Sequence, residues 1–324
     1  MTSVRRFRFN GMCTATLLAL TAWSVAGAAE KPSLRIFYTA SVKGYIDQCG
    51  CRYNPTGGIE RRATYLERSV DPSVPTLVLD AGDMIGEADD IGRMQTRYLF
   101  RAMKEMRYRN LGVGPRDFLY GMGYLRDTER QFGFQFTGAN VLDDATRRPV
   151  FAPYIIAEVN GGGLPGHPTP PLRVGLVSVM GLDRPPLTTP TDPTLRLSDP
   201  VAAVRGVVNE LCGQTDLIVV MAYTGQADID TIRAIGGVDV VISARQLRIP
   251  PEWVSFSEGK VVGYSSFQGR GVGWIDLTLV GPHRVTRASG DLAMMSADIP
   301  NHERMMQLKH EFEEWKARAS SDAR

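Results

Sequence analysis

Two cysteines separated by a single glycine, Cys49 and Cys51, lie in a polar loop near the start of the chain. The loop follows an apolar run, Leu34 to Tyr38, which predicts a buried β-strand. It ends at Gly57-Gly58, where a helical pattern begins. In an open α/β sheet, ligands bind beyond the carboxyl ends of the strands. This loop is therefore the first place where the sequence predicts chemistry.

Three kinds of sulfur chemistry fit the Cys-Gly-Cys spacing. A disulfide between Cys49 and Cys51 would close a small, strained ring, and strained disulfides are labile and oxidising. Two thiolates could instead hold a soft ion such as Cu(I). The third alternative is a structural disulfide from one of them to Cys212, at the end of a predicted helix, which leaves the other thiol free. Lys43 and Arg52 are close enough in sequence to depress a thiol pKa in this loop.

The composition is that of a globular protein, with 43% hydrophobic and 22% charged residues in a chain of 324. This length allows one large domain or two small ones, and it can bury a large core. Nothing in the composition indicates a repeat protein or a low-complexity chain.

The first 28 residues have the pattern of a Sec-type signal peptide. Three arginines precede an apolar run from about Thr14 to Val25, and Ala26-Gly27-Ala28 resembles a cleavage site. We therefore predict a periplasmic or secreted protein with no stable membrane anchor after signal cleavage. Loss of the three arginines changes the formal net charge from +2 to −1, so the mature chain has no basic excess for nucleic acid.

Apolar strands alternate with helical patterns along most of the chain, which predicts an α/β fold with largely buried sheets. The predicted strands after the first are 75–79, 110–113, 135–141, 153–159, 173–179, 217–222 and 238–242, and the predicted helices are 59–70, 90–108, 122–131, 199–212 and 229–235. Short strands are expected over 253–289, and an amphipathic helix from 301 to about 319. We predict a signal peptide over 1–28, one domain over 29–299 and a C-terminal amphipathic helix within 300–324.

The order of these motifs resembles that of the calcineurin-like metallophosphoesterases, and specifically the N-terminal domain of secreted bacterial 5′-nucleotidases and UDP-sugar hydrolases. The resemblance covers nearly the whole mature chain. It rests on the segments 37–44, Gly57-Gly58, Leu77 to Asp83, Leu111 to Gly121, Asn140, 173–181, 218–225, 239–246 and 264–278. It implies a four-layer αββα sandwich and a pair of divalent cations that polarise a phosphate and activate water.

Most of the metal ligands that the resemblance implies are absent from this chain. The family's Asp-x-His pair falls at Ser41 and Lys43, its Asn and catalytic His at Pro115 and Arg116, a later His at Tyr223, and its Gly-His-x-His ligands at or next to Arg245 and Leu247. Asp83, at the position of the bridging carboxylate, is the only retained ligand. The four histidines, His167, His283, His302 and His310, do not follow core strands. An ordinary dinuclear metal centre is therefore not expected, and the cofactor is either Cu(I), none, or unknown.

Lys43, Arg116 and Arg245 stand at ligand positions, where they could supply the positive charge that metals would otherwise give to a buried Asp83. One interpretation is that salt bridges close an abandoned site. The other is an anion-binding pocket, because arginine binds oxyanions bidentately. Arg270 lies in a turn that resembles the family's late Gly-Arg turn and is expected to be structural.

Three functions follow from these observations. The first is a degenerate 5′-nucleotidase-like protein that performs binding, thiol-redox or soft-metal work centred on Cys49 and Cys51, with a redox or protein partner in the same compartment. Secreted members of this branch that carry cysteine or selenocysteine in the same loop imply such chemistry. The alternative is an active metal-dependent phosphoesterase with a non-standard metal set around Asp83. The third is a purely structural partner protein, so whether the chain is an enzyme stays open.

Overall fold

The computed structural model describes residues 31–160, 170–188, 194–211, 213–245 and 249–322. The predicted signal peptide, Cys212, His167 and Leu247 lie outside these residues. The structure therefore carries no test of the cleavage site or of a disulfide to Cys212.

The described residues form six α-helices and fourteen strands. The helices are α1 (Ile59–Ser69), α2 (Asp90–Glu105), α3 (Gly121–Phe132), α4 (Pro200–Leu211), α5 (Gln226–Arg233) and α6 (Glu303–Asp322). The strands are β1 (Leu34–Thr39), β2 (Thr76–Asp80), β3 (Asn110–Leu111), β4 (Gln135–Phe136), β5 (Val141–Asp143), β6 (Tyr154–Val159), β7 (Leu172–Met180), β8 (Leu195–Leu197), β9 (Leu217–Tyr223), β10 (Val240–Ser243), β11 (Val254–Ser257), β12 (Lys260–Tyr264), β13 (Gly271–Leu279) and β14 (Val285–Met294). A short 3-10 helix covers Pro115–Phe118.

Two six-stranded mixed sheets form the centre of the fold. The first has the order β14-β13-β1-β2-β3-β4, and the second has the order β11-β12-β10-β9-β7-β6. Strands β1 to β4 run parallel in the first sheet, and β7, β9, β10 and β12 run parallel in the second. The loops at the carboxyl ends of the parallel strands therefore gather at one edge of each sheet.

The predicted strand over 135–141 is wrong in its extent, since two short strands occupy that region. Strand β4 pairs with β3, whereas Val141 on β5 pairs with Leu197 on β8 in a separate two-stranded sheet. Gly138 lies between the two strands, where a Cβ would come within 3.1 Å of the Phe151 ring.

The two large sheets pack face to face, with helices outside each of them. Tyr38 on β1 is fully buried, and its hydroxyl donates to the Tyr264 carbonyl at 3.3 Å, which joins the first sheet to the second. Its ring lies directly over Gly273 on β13, where a Cβ would come within 2.1 Å of it. Helices α4 and α5 share a second apolar cluster with the outer face of the second sheet. The α/β fold and the four-layer αββα arrangement predicted from the sequence are confirmed.

Helix α6 packs its apolar face against the helices on the first sheet. Met305, Leu308 and Phe312 are buried, and the Phe312 ring makes an edge contact with Tyr98 on α2 at 5.6 Å between centroids. Lys309 on the same helix pairs with the carboxylate of the fully buried Glu60 on α1 at 3.2 Å. None of the described helices is long and apolar enough to cross a membrane.

Candidate functional site

A hydrogen bond connects the two sheets at the edge where the parallel strands end. Asp83 follows β2 in the first sheet, and Tyr223 is the last residue of β9 in the second. The Tyr223 hydroxyl donates to Asp83 Oδ2 at 3.2 Å. Burial, followed by the charge of Asp83, raises the pKa of Tyr223, so the phenol stays protonated and acts as the donor. The position of the family's metal ligand on β9 is therefore filled by a hydrogen-bond donor.

The Asp83 carboxylate is buried, with 2% of its side chain exposed, and it is surrounded by donors. Its Oδ1 accepts from the backbone N–H of Arg116 at 3.0 Å, and the Lys43 ammonium lies 4.0 Å from Oδ2. Ser41, Lys43 and Asp83 all have positive φ, of 50°, 54° and 65°. Backbone strain of this kind concentrates at functional sites.

Asp117 lies beneath this carboxylate and organises the loop after β2. Its two oxygens accept four backbone N–H groups, those of Asp83, Met84, Ile85 and Gly114, at 2.7 to 3.2 Å. Burial and then the charge of Asp83 raise the pKa of Asp117 to about 7, although the hydrogen bonds from these backbone N–H groups act to lower it. Asp117 therefore has a structural role, because its oxygens are used within the loop.

The residues at this edge do not fit a dinuclear metal centre. Such a centre needs several oxygen and nitrogen ligands with free lone pairs. Asp83 uses its oxygens to accept from Tyr223 and Arg116, and Lys43 brings a positive charge where a cation would sit. Within the part of the chain that the structure describes, no three His, Cys, Asp or Glu side chains are grouped as a metal site would require.

The three cations predicted to replace the metals have different partners. The guanidinium of Arg116 turns away from Asp83 and donates to the carbonyls of Ile85 and Gly86, at 3.0 and 2.5 Å. Arg245 pairs with Asp183 at 2.7 Å and is 16% exposed. Lys43 alone of the three approaches Asp83 with its side chain. Each of the three cations thus has a partner within the protein, while binding of an external anion stays a prediction.

The Cys-Gly-Cys loop is closed at its base next to this edge. Gln48 and Gly57 form an isolated β-bridge, and the Cys49 N–H donates to the Thr56 carbonyl at 2.7 Å. Both cysteines are free thiols. Cys49 is buried, with 8% of its surface exposed, whereas Cys51 is exposed. The loop thus presents one sulfur to solvent and holds the other inside.

Two hydrogen-bond donors of Thr56 lie next to the Cys49 sulfur. Its N–H lies 3.3 Å from Cys49 Sγ, and its Oγ1 lies 3.5 Å from the same sulfur. Arg270 Nε donates to that Oγ1 at 3.0 Å. Because the hydroxyl oxygen already accepts from Arg270, its own hydrogen is free to point toward the sulfur. The arrangement favours a thiolate at Cys49.

The two thiols differ in acidity as well as in exposure. Burial alone would raise the pKa of Cys49, but the hydrogen bonds from Thr56 and Cys51 outweigh it and lower that pKa to about 6. The pKa of Cys51 is raised, first by its hydrogen bond to Cys49 and then by the charge of that neighbour, while Arg270 acts in the opposite direction. The two shifts therefore favour a thiolate at Cys49 and a protonated thiol at Cys51.

Sequence reasoning missed two residues of this site. Thr56 immediately precedes Gly57-Gly58, so its closeness to the cysteine loop was available as a signal. Arg270 was expected to be structural, and its contact with Thr56 spans 214 residues of sequence. The pairing of β13 with β1, together with the bond from the Gln268 N–H to the Ser41 carbonyl, brings its turn to the loop after β1. The sequence alone does not show that contact.

Comparisons with known proteins agree with this architecture. The chain is 25% identical over 245 residues to a 2′,3′-cyclic-nucleotide 2′-phosphodiesterase/3′-nucleotidase of Haemophilus influenzae, which covers 69% of this chain and 36% of that protein. The structure superposes on a 5′-nucleotidase precursor from Thermus thermophilus with a TM-score of 0.71 and 23% identity, over 86% of this chain and 58% of the other. It also superposes on a calcineurin-like phosphoesterase of Bacillus subtilis with a TM-score of 0.72 and 19% identity, over 88% and 98% of the two chains. No family model matches the chain.

The two packed sheets and the strand-end loops define the calcineurin-like phosphoesterase fold. In sequence and fold the chain is similar to the metallophosphoesterases of the 5′-nucleotidase type. It spans between 24% and 52% of the length of the curated relatives it matches.

Proposed function

We propose that this protein is a non-hydrolytic member of its superfamily that performs thiol-redox chemistry through Cys49 and Cys51. The observation that carries the proposal is the contrast between the two sulfurs. Cys49 lies among hydrogen-bond donors of Thr56, and Cys51 is exposed two residues away. A stabilised thiolate beside an accessible thiol is the arrangement that thiol–disulfide exchange requires.

Phosphoester hydrolysis with a non-standard metal set is the weaker candidate. It would need Asp83 to bind a cation, but its oxygens accept from Tyr223 and Arg116 and the Lys43 ammonium lies 4.0 Å away. Ligand exchange would have to remove two hydrogen bonds from a buried carboxylate, and each bond to a charged group contributes about 1.5–3 kcal/mol. No contact of the described residues favours this alternative.

The proposed place of action is outside the cytoplasm. The N-terminal pattern of residues 1–28 supports export, and one of the structurally similar proteins is a 5′-nucleotidase precursor. A pair of cysteines that cycles between dithiol and disulfide needs a compartment where both forms persist, and the periplasm and extracellular space allow this. Its partner would be another thiol or disulfide compound in that compartment.

Thiol counting and elemental analysis of the mature protein test the proposal. We expect no stoichiometric divalent metal, and two thiols that oxidised glutathione removes and dithiothreitol restores. A Cys212→Ser variant, which should behave in the same way, controls for the third cysteine. Two hard divalent ions per chain, with Mn²⁺-dependent phosphatase activity lost in Asp83→Ala, would overturn the proposal. One Cu(I) per chain bound by Cys49 and Cys51 would replace the redox role with metal binding.

A further inference from the structure

We infer that the oxidised Cys49–Cys51 pair accepts electrons from thiols, with the substrate thiolate attacking Cys51 and Cys49 leaving. This inference rests on the proposed redox function and adds its substrate class, its direction and the role of each sulfur. The observations that carry it are the exposure of the two cysteines and the donors around Cys49.

Access decides which sulfur is attacked. Cys51 is exposed, and the neighbouring Tyr53 is 93% exposed, so this side of the loop is open to solvent. Cys49 is buried beneath Thr56 and is held by the bond between its own N–H and the Thr56 carbonyl. An incoming thiolate must approach in line with the disulfide bond. The exposed Cys51 sulfur is open to this approach, whereas the Cys49 sulfur, in a residue only 8% exposed, is much less accessible.

Charge stabilisation decides which sulfur leaves. The electron pair of a broken disulfide goes to the sulfur that best holds a negative charge, because thiols of lower pKa leave faster. Cys49 Sγ has the Thr56 N–H at 3.3 Å and the Thr56 hydroxyl at 3.5 Å. Arg270 Nε donates to the Thr56 hydroxyl oxygen at 3.0 Å, which leaves the hydrogen of that hydroxyl directed at the Cys49 sulfur. Thr56 and Arg270 are therefore positioning residues for the leaving thiolate.

The exchange balances in two steps. In the first, a substrate thiolate forms a bond to Cys51 Sγ, the Cys49–Cys51 bond breaks, and Cys49 takes the electron pair as a thiolate. In the second, another substrate thiolate attacks the substrate sulfur of the mixed disulfide, releases the substrate disulfide and leaves Cys51 as a thiolate, which then takes a proton. Two thiols lose two electrons in total, and the protein disulfide gains them.

Because the reduced form is stabilised at Cys49, its disulfide is expected to be a stronger oxidant than an unassisted one. The lowered pKa of Cys49 agrees with this direction, since a thiolate that persists at neutral pH makes the dithiol state more favourable. The same stabilisation of the Cys49 thiolate disfavours the reverse direction, in which the dithiol would reduce other disulfides.

A trapping experiment identifies the attacked sulfur. The mature Cys212→Ser protein is oxidised with oxidised glutathione, mixed briefly with reduced glutathione, quenched in acid and alkylated, and its peptides are then sequenced by mass spectrometry. We expect glutathione on Cys51 and the alkyl group on Cys49. Glutathione mainly on Cys49 would overturn the inference.

Variants at Thr56 test the source of the oxidising strength. Thr56→Val keeps the backbone N–H but removes the hydroxyl, and with it a hydrogen bond to the Cys49 thiolate. The equilibrium with glutathione should therefore shift about tenfold toward the protein disulfide. Thr56→Ser keeps the hydroxyl and should stay within about twofold of the parent protein. Unfolding midpoints of both variants show whether the fold is intact. Equal equilibrium constants for a folded Thr56→Val and the parent would contradict the role given to the hydroxyl.

The outcomes separate the inference from the function on which it rests. If oxidised glutathione never removes the two thiols, the redox function itself is wrong. If the disulfide forms and is reduced reversibly, but glutathione is found on Cys49 or Thr56→Val has no effect, the redox function stands and the assigned direction and roles fall.

Discussion

The Tyr223 hydroxyl donates to Asp83 Oδ2 at 3.2 Å, and the two residues come from different sheets. The resemblance to metallophosphoesterases implies a pair of metal ions at this edge. Here a phenol makes the cross-sheet contact instead. The bond neutralises no charge, but it solvates a carboxylate that is 2% exposed. The Tyr223–Asp83 bond thus makes this edge part of the packing between the sheets.

We predict that Tyr223→Phe destabilises the fold without affecting thiol chemistry. The substitution keeps the ring and removes one of the donors to the buried Asp83 carboxylate, so the free energy of unfolding should fall by about 2 kcal/mol. Urea unfolding measures this change. Tyr264→Phe is the matched control, because Tyr264 bonds through its hydroxyl to Gln226 at a partly exposed site, and its loss should cost less than about 0.5 kcal/mol. Equal decreases in the free energy of unfolding of the two variants would show that the cross-sheet bond stabilises the fold no more than the Tyr264 bond does.

Two buried carboxyl groups make stability depend on pH. Burial raises the pKa of Asp80 from its ordinary 3.8 to about 6, and burial together with Asp83 raises that of Asp117 to about 7. Between about pH 4 and 7, the folded protein therefore holds protons that the unfolded chain has released, and the free energy of unfolding should fall as pH rises. Urea midpoints at about pH 5 and about pH 8 test this, with the higher midpoint expected at the lower pH.

The same experiment needs two adjustments. Cys49 has a lowered pKa, so its thiolate adds stability above about pH 6 and opposes the trend. A Cys49→Ser background removes this contribution. Asp80→Asn should then flatten part of the slope, because an amide does not titrate in this range. The fold should tolerate the change, since the Thr39 hydroxyl, which donates to Asp80 at 2.6 Å, can accept from the amide instead. Stability that rises with pH in the Cys49→Ser protein would contradict the raised carboxyl pKa values.

The sequence predicted the framework well because its signals are local. Leu34 to Tyr38 and the run at 217–222 are too apolar and too short to be anything but buried strands, and both strands are present. The family resemblance also singled out Asp83, which lies in the loop after β2. The sequence did not show in which direction a side chain at a predicted ligand position would point. Arg116 stands at a ligand position, but its guanidinium donates to backbone carbonyls of the same edge.

The remaining errors come from contacts between distant segments. Thr56 and Arg270 meet because β13 pairs with β1, and no periodicity in the chain records that pairing. The break between β4 and β5 has a similar cause, since a partner strand at Leu195–Leu197 competes for the second half of the apolar run. Local propensity predicts that a segment is extended, but it does not choose the partner strand.

Helix α6 offers a sharp test of its contribution to stability, because two adjacent methionines differ in burial. Met305 is 2% exposed and Met306 is 42% exposed. Met305→Ala should lower the free energy of unfolding by about 2–5 kcal/mol through lost contacts and a cavity. Met306→Ala should change it by less than about 0.5 kcal/mol. Similar values for the two variants in urea unfolding would mean that α6 does not stabilise the domain in solution.

The pH profile of alkylation tests the environment of the two thiols directly. Only the thiolate reacts with iodoacetamide, so the rate at each cysteine rises with pH through its own pKa. We expect the rate at Cys49 to reach half its maximum near pH 6, and that at Cys51 only above the ordinary thiol value of 9. Arg270→Gln should move the Cys49 midpoint upward, because the Thr56 hydroxyl loses the donor that directs it. Arg270→Lys keeps the positive charge but not the directed Nε–H. If the alkylation midpoint of Cys49 rises in Arg270→Gln but not in Arg270→Lys, the charge alone stabilises the thiolate. If neither substitution moves the midpoint in a folded protein, the thiolate at Cys49 does not depend on the contact between Arg270 and Thr56.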